Sequence, residues 1–433
     1  MARVNKFIRE HYHYRQNPYP SQAVLQYGSS DRRENGDLFN KEVGSAAYEE
    51  AVDKFIVRPI DSGSKVHLLW SLGERDGARG FGKSALLRCL THEINRDLGR
   101  DLLSSHGFEE KEVDDTPIVA ALGSFDTTSA QTLAAVCLQH AASIALPDGR
   151  MGSSTAEMLR HAALRRLACT ADIKDSEAQA DALRNLVEET YLAIRGKTLG
   201  YPDRQLINMF ADADWRRLSA YVRNAKVSDG FGMLNTIFIL ARTAGVRRFF
   251  LFTDQVEDFA NADTSKKRRH LEVERFRDLS IEAQPFGEMS AYVLTMHPEA
   301  ARQIEGFWSE ARLPELDPTA KRTQRTAVVM RPVKSRADAE QVYLKYSDDA
   351  RLRDADVPPL HPFDASTLDV LVELSGGRPG QMLKFAHDLI EEGAQDAYLS
   401  ITAKEAKDIL SEAAVVADDE KPVRRPRRVG LMD

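Results

Sequence analysis

The sequence predicts an α/β fold, with a parallel β-sheet core that is interrupted by a large helical insertion and followed by a C-terminal all-α domain. Three observations lead to this prediction. Apolar runs of strand length alternate with helical stretches, a long helical pattern spans about residues 128–244, and the strand signals stop near Pro332. Strands that alternate with helices are typical of parallel sheets, because each crossover between parallel strands needs a connecting helix.

The composition excludes several classes of protein. A length of 433 residues suggests about three structural units. The net charge of −7 gives the whole chain no general affinity for nucleic acid. Cys89, Cys137 and Cys169 lie far apart, which excludes a zinc ribbon and argues against a disulfide framework. No run of 18 apolar residues and no signal sequence occurs, so we expect a cytoplasmic protein without membrane contact.

The first part of the chain divides into an arm, a core and an insertion. Residues 1–40 are polar and aromatic, and prolines around Asn17–Pro20 predict an extended N-terminal arm. The core is expected over residues 41–330, with the insertion at about 128–244. Helices are predicted at Glu42–Ile56 and Ser84–Leu98, and strands at Val66–Leu72, Pro117–Leu122, Phe249–Phe252 and Ser290–Thr295.

Residues 331–415 are predicted to form a helical lid domain. Its four helices are expected at Arg336–Tyr346, Ala365–Leu374, Gln381–Glu391 and Ala403–Ala413. Asp364 is suited to cap the second helix, and Thr402 with Glu405 forms a capping box for the last. Residues 416–433 form a basic tail, with five basic residues in Lys421–Arg428, for which we expect disorder.

One motif carries chemistry. The run Gly77-Ala-Arg-Gly-Phe-Gly-Lys83-Ser84 matches the phosphate-binding pattern G-x-x-x-x-G-K-[ST] between a strand and a helix. Glycines let backbone N–H groups turn towards phosphate oxygens, a lysine reaches the β- and γ-phosphates, and a serine hydroxyl binds Mg²⁺. The alternative is a glycine-rich turn that caps a helix. The predicted nucleotide-binding residues are Gly77, Gly80, Phe81, Gly82, Lys83, Ser84 and Ala85.

A P-loop needs an acidic residue at the end of another buried strand to hold Mg²⁺ through water. Asp254, which directly follows the apolar run FFLFT, is the best candidate. The separation from Ser84 is long for one strand-to-strand step, and the helical insertion accounts for it. Ser84 and Asp254 are therefore the predicted metal-binding residues, and ATP with Mg²⁺ is the predicted cofactor.

With these features in this order, the chain resembles the AAA+ ATPases, and most of all the origin-recognition and transposition-regulator type of bacterial mobile-element and phage-defence operons. The resemblance covers the layout of about residues 40–415, but only the loop is specific as sequence. It implies that Gly77–Ser84 is the Walker A motif and that Asp254 is the Walker B acid. It places the polar sensor 1 position on Thr295 or His297, and a second sensor in the lid.

Two departures from the family pattern bear on catalysis. The residue after the Walker B acid is Gln255 rather than glutamate, and an amide cannot accept a proton from the attacking water. Glu257 and Asp258 are nearby and are alternative bases. In the lid, Gly377-Arg-Pro-Gly380 offers Arg378 in place of the usual arginine. Both departures suggest slow hydrolysis.

The resemblance also implies an arginine finger that completes the site of a neighbouring subunit. The arginines that follow the fourth strand are Arg302, Arg312, Arg322 and Arg325. Sequence does not decide among them, and Arg312 is preferred because it ends a helical stretch.

The predicted function is an ATP- and Mg²⁺-dependent molecular switch or assembly ATPase with slow hydrolysis. It forms a homo-oligomer and controls a partner effector protein or a DNA transaction, in phage defence or mobile-element function. Duplex DNA would bind the basic run Lys266–Arg269 or the tail, and the alternative is that these charges are simply solvated. Two other functions stay open: a non-hydrolysing, nucleotide-bound scaffold and a P-loop phosphotransferase.

Overall fold

A computed structural model of the chain describes residues 2–23, 29, 31–43, 45–62, 66–71, 80–125, 132–147, 153–168, 175–195, 202–256, 265–279, 286–296 and 327–419. The chain divides into two compact units. One consists of Leu25–Arg331, and the other combines Met1–Val24 with Pro332–Asp433.

The unit Leu25–Arg331 is built on a parallel sheet. Its strands are β1 (Val66–Ser71), β2 (Ile118–Ser124), β3 (Arg248–Asp254), β4 (Ser290–Thr295) and β5 (Val328–Met330), in the order β2-β3-β4-β1-β5. Every neighbouring pair of strands is parallel. The four predicted strands are confirmed. The fifth strand was missed, because three residues are too few to show a pattern of strand period.

Helices cover both faces of this sheet. A run of helix over residues 45–62 consists of α2 (Ser45–Ala51), a π-helical segment (Val52–Val57) and α3 (Arg58–Ser62). The helix after the glycine-rich loop is α4 (Lys83–Asp97). The others are α5 (Arg100–Ser105), α6 (Glu110–Asp114), α7 (Leu133–Ala145), α8 (Thr155–Ala168), α9 (Ser176–Ala193), α10 (Arg204–Ala211), α11 (Trp215–Arg223), α12 (Gly230–Thr243), α13 (Lys266–Arg277) and α14 (Phe286–Met289).

The insertion between β2 and β3 consists of helices α7 to α12 and a short 3-10 turn at Val227–Asp229. Although these helices separate the two strands in sequence, β2 and β3 pair directly in the sheet. The predicted fold class is therefore confirmed: an α/β core with a parallel sheet, a large helical insertion and a C-terminal helical domain.

Side chains of β3 alternate between two hydrophobic clusters, as the two-residue period of a strand requires. Phe249 and Leu251 pack with the helices of the insertion. Phe250 and Phe252 face the other side and pack with apolar residues of α4. All four side chains are fully buried, so β3 is fixed from both faces before it ends at Asp254.

Strand β2 lies at one edge of the sheet, where its outward backbone groups need partners. Side chains and one carbonyl supply them: Ile118 N donates to Leu98 O (2.9 Å), Ala120 N to Asn95 Oδ1 (2.9 Å), Leu122 N to Ser143 Oγ (3.0 Å) and Ser124 N to Gln139 Oε1 (2.6 Å). Asn95 also donates from Nδ2 to Ala120 O at 2.7 Å. Helices α4 and α7 thus occupy the hydrogen-bonding groups at this edge, so that another strand cannot pair with β2 there.

The second unit is helical. Its C-terminal helices are α15 (Arg336–Ala350), α16 (Ala365–Ser375), α17 (Pro379–Gln395) and α18 (Ala403–Asp419). The cap predicted for α16 is confirmed, since the Asp364 carboxylate accepts from Thr367 N at 2.7 Å. At α18, Thr402 N donates to the Glu405 carboxylate at 2.9 Å, which is one half of the predicted capping box.

The first residues of the chain belong to this helical unit. Residues Ala2–His11 form helix α1, where the sequence predicted an extended arm. Tyr12 donates from its hydroxyl to Tyr398 O (2.8 Å), and Asn17 donates from Nδ2 to His387 O (3.0 Å). The difference arises because the aromatic residues of this segment are core residues of a distant part of the chain. The domain boundaries given above otherwise remain predictions.

Among the described residues, none of the helices combines the length and the apolarity that a membrane crossing requires.

Candidate functional site

The described part of the glycine-rich loop has a backbone that only glycine adopts readily. Gly80 has a φ of 81° and Gly82 a φ of 87°, both in the left-handed region. The turn that they make delivers the chain into α4, whose first residue is Lys83. Gly77, Ala78 and Arg79 lie outside the described residues.

The N-terminus of α4 is suited to an anion. Gly82 is the N-cap residue, it offers no side chain to the first N–H groups, and the first turn has no acidic residue. Those N–H groups and the helix dipole favour a negative charge at this end. The loop and the helix therefore have the geometry of a phosphate cradle.

The acid predicted at the end of β3 meets this loop. Ser84 donates a hydrogen bond from Oγ to Asp254 Oδ2, although 170 residues separate the two. Asp254 is only 1% exposed, so its carboxylate is held inside the protein. Since the hydroxyl proton points at Asp254, the lone pairs of Ser84 Oγ remain available to a cation.

Thr295 joins the same group from the neighbouring strand. Its hydroxyl donates to the other carboxylate oxygen, Asp254 Oδ1, and accepts from Gln255 N at 2.9 Å. The sheet order explains this meeting, because β4 lies between β1 and β3 and parallel strands end at the same edge. Hydrogen bonds thus join Ser84, Asp254, Gln255 and Thr295, the four residues that the sequence proposes for this site.

The donor set at this site fits Mg²⁺ as the cation. A hydroxyl and one carboxylate are hard oxygen ligands, and Mg²⁺ takes few protein ligands and completes its shell with water and phosphate oxygens. Within the described residues, no three His, Cys, Asp or Glu side chains gather as a metal cluster. Ser84 and Asp254 are thus the residues that would hold the ion beside a bound nucleotide.

Two apolar side chains that the sequence did not suggest as site residues flank the loop. A Cβ atom built on Gly82 would lie 3.9 Å from both Phe39 and Met330, so these side chains border the loop. Phe39 belongs to a segment that ion pairs attach to α4: Arg88 Nε contacts Asp37 Oδ1 at 2.8 Å, and Lys41 pairs with Glu93. No sequence motif marks Phe39 or Met330, because only the fold brings them to the loop.

Arg378 belongs to the other unit, where it serves as the N-cap residue of α17. Its Nε donates to Ser375 O at 2.9 Å. The preceding Gly377 has a φ of 70°, and a Cβ there would lie 2.1 Å from Val333 O. The glycine of this motif is therefore required by the packing of the backbone.

Several predicted site residues lie outside the described residues: Glu257, Asp258, His297, Arg302, Arg312, Arg322, Arg325 and the tail Lys421–Arg428. The basic run Lys266–Arg269 forms the first turn of α13, where Lys267 and Arg268 are exposed.

No protein-family model matches the sequence, and no curated protein is significantly similar to it. Two solved structures of the Aeropyrum pernix ORC2 protein are distantly similar to the chain. The ADPNP–ADP complexes have a TM-score of 0.42 at 11% identity, over 90% of this chain and 69% of that one. The ADP form has a TM-score of 0.41 at 11% identity, over 94% and 72%. Similarity this distant says nothing about function.

Proposed function

We propose that this protein is an AAA+ molecular switch or assembly ATPase that binds ATP with Mg²⁺ at the α4 loop. The hydrogen bond between Ser84 and Asp254 carries the proposal, because it joins the glycine-rich loop to a buried acid at the end of another parallel strand. A glycine-rich turn that only caps a helix has no need of that acid. Lys83, the first residue of α4, supplies the cation for the β- and γ-phosphates.

The nucleotide site is tested by Lys83→Ala. Loss of one or two charge-assisted hydrogen bonds should weaken ATP binding about 10- to 100-fold, while the fold is kept. Binding is measured by calorimetry, and circular dichroism confirms the fold. Lys111→Ala changes an exposed lysine of α6 and is the matched control. ATP affinity at the wild-type level in Lys83→Ala would reject the P-loop assignment.

We further propose that hydrolysis is slow, because Gln255 stands beside Asp254 where a carboxylate would act as the base. General-base assistance is worth about 10²–10⁴-fold, so Gln255→Glu should raise steady-state ATP turnover. Gln255→Asn, which keeps an amide, is the matched control and should not raise it. Fast wild-type hydrolysis that Glu257→Gln abolishes would instead identify Glu257 as the base. A wild-type turnover of zero that Gln255→Glu leaves unchanged favours the scaffold function.

The switch is proposed to act as a cytoplasmic homo-oligomer that controls a partner effector protein or a DNA transaction, as the resemblance to mobile-element and phage-defence ATPases implies. Exposed Lys267 and Arg268 at the start of α13 support a contact with duplex DNA. Mass measurements in solution with ATP, with ADP and without nucleotide, each with and without duplex DNA, test these proposals. A constant monomer mass in all conditions would contradict both assembly and DNA binding.

A further inference from the structure

The peptide group between Asp254 and Gln255 is held from both sides. Its carbonyl oxygen, Asp254 O, accepts from Phe125 N at 3.2 Å, just beyond the end of β2. Its N–H group, on Gln255, donates to Thr295 Oγ1 at 2.9 Å, at the end of β4. The two strands that flank β3 therefore fix the orientation of this one peptide plane.

Gln255 itself has an unfavourable backbone conformation. Its φ of 55° lies in the left-handed region, which costs a residue other than glycine about 1 kcal/mol or more. Such a conformation persists only where surrounding contacts enforce it. The hydrogen bond to Thr295 is a contact of this kind, and the turn determines where the partly exposed Gln255 side chain points.

The hydroxyl of Thr295 has no proton left to donate to a nucleotide. A hydroxyl has one proton and two lone pairs. The proton is donated to Asp254 Oδ1, and one lone pair accepts from Gln255 N. Only an acceptor remains, and an acceptor does not bind the negatively charged oxygens of a γ-phosphate. Thr295 is also fully buried, with no exposed surface.

We propose that Thr295 is a positioning residue that holds Asp254 and the Gln255 turn, and that it does not contact the γ-phosphate. This differs from the sensor role that the resemblance implied for Thr295. The proposal assumes the nucleotide site described above. With Ser84 on Oδ2 and Thr295 on Oδ1, the Asp254 carboxylate has a donor on each oxygen, so its plane is fixed before any ligand arrives.

The test uses two substitutions that differ only in the hydroxyl. Thr295→Val keeps the shape and removes the hydroxyl, and Thr295→Ser keeps the hydroxyl. In the nucleotide-free protein, hydrogen exchange at the Gln255 amide should become at least about tenfold faster in Thr295→Val and stay near wild type in Thr295→Ser. Mass spectrometry with fragmentation to single residues measures that rate, and it requires no ATP.

The second measurement separates binding from turnover. In Thr295→Val, turnover should fall about tenfold or more because Gln255 is misplaced, while ATP affinity stays within about twofold because Ser84 still holds Asp254. Thr295→Ser should restore turnover. Unchanged amide exchange in Thr295→Val, or a loss of ATP affinity as large as the loss of turnover, overturns the proposal.

A third substitution guards against misfolding of Thr295→Val. Thr295→Cys keeps a similar volume, but its thiol is only a weak donor and acceptor. Hydrogen exchange at the Gln255 amide should therefore become faster, as in Thr295→Val. The assignment of the nucleotide site is tested separately by Lys83→Ala: ATP affinity at the wild-type level in that variant would reject the site but not the hydrogen bond of Thr295.

Discussion

His140 is a buried, titratable side chain next to the strand that ends at Asp254. Its ring lies beside Gly123, where an added Cβ would be 2.9 Å from the imidazole. Nε2 lies 3.1 Å from Phe252 O, to which it donates as the protonated nitrogen of a neutral ring. Burial lowers the pKa of His140 to about 4, and the hydrogen bond to Phe252 opposes this only in part.

This shift makes stability depend on pH. The imidazole takes up a proton near pH 6.5 in the unfolded chain but only near pH 4 in the folded chain. Between these values the unfolded state binds more protons, so the free energy of unfolding falls as the pH is lowered. The loss is about 2 kcal/mol at pH 5, and it is complete below the folded-state pKa.

Urea denaturation of wild type and His140→Gln from pH 7.5 to 4.5 measures this contribution. Glutamine does not titrate, so the difference in unfolding free energy between the two proteins should narrow by about 2 kcal/mol between pH 7 and pH 5. Other titrating groups are shared by both proteins and cancel. A difference that is independent of pH would show that His140 is not a buried neutral imidazole.

For single residues, sequence proposes candidates where chemistry requires a fixed spacing. Lys83 and Ser84 are proposed because the loop pattern is local, and Asp254 because it follows an apolar run. Phe39 and Met330 were not identified, because their position beside Gly82 results from the fold and leaves no local pattern. Nor does sequence report the left-handed backbone of Gln255, which depends on Thr295 some 40 residues away.

Helix α4 has a structural function besides its place at the loop, since its Asn95 closes the edge of β2. Both polar atoms of this buried amide bond to the backbone of Ala120. Asn95→Ala leaves a buried N–H and a buried carbonyl without partners, which should lower the unfolding free energy by about 2–4 kcal/mol.

Arg96→Ala on the same helix is the matched control for Asn95→Ala. Arg96 is about half exposed and pairs with Asp101 on the surface, so its loss should cost less than about 1 kcal/mol. Denaturant unfolding compares the two variants. Equal costs would mean that the edge of β2 does not depend on the Asn95 amide.

The secondary-structure elements that sequence predicted best are long or fully apolar. Strand β4 has the predicted bounds, α4 begins and ends one residue earlier than predicted, and α16 ends one residue later than predicted. Strand β5 was missed because its three residues form a strand only by pairing with β1. The sequence predicted an extended arm in place of helix α1 because the segment is mostly polar. In the structure, Ile8 is the buried residue of this helix.

Residues 2–23 belong to the same compact unit as residues 332–419, and this has consequences for stability. Ile8, Tyr12, Tyr14 and Tyr19 are buried in the unit that contains residues 332–419, and each buried side chain of this size contributes about 1.5–3 kcal/mol. Deletion of residues 1–23 should therefore unfold the C-terminal helices, while the unit Leu25–Arg331 stays folded.

Limited proteolysis and hydrogen exchange of helices α15 to α18 test this prediction. Lys6→Ala is the control, because Lys6 forms only an exposed pair with Glu10 at 3.8 Å and should leave exchange unchanged. If α15 to α18 keep wild-type protection after the deletion, the first 23 residues are not part of their core.

The same feature sets an order on biosynthesis. The hydrogen bond from Tyr12 to Tyr398 joins residues 386 positions apart, so during synthesis Tyr12 meets this partner only after the residues between them have been made. Domains generally fold as they leave the ribosome, starting from the N-terminus. The unit Leu25–Arg331 is therefore free to fold first, while Tyr12, Tyr14 and Tyr19 remain exposed to solvent. During that interval their apolar surface is open to chaperones or to another nascent chain.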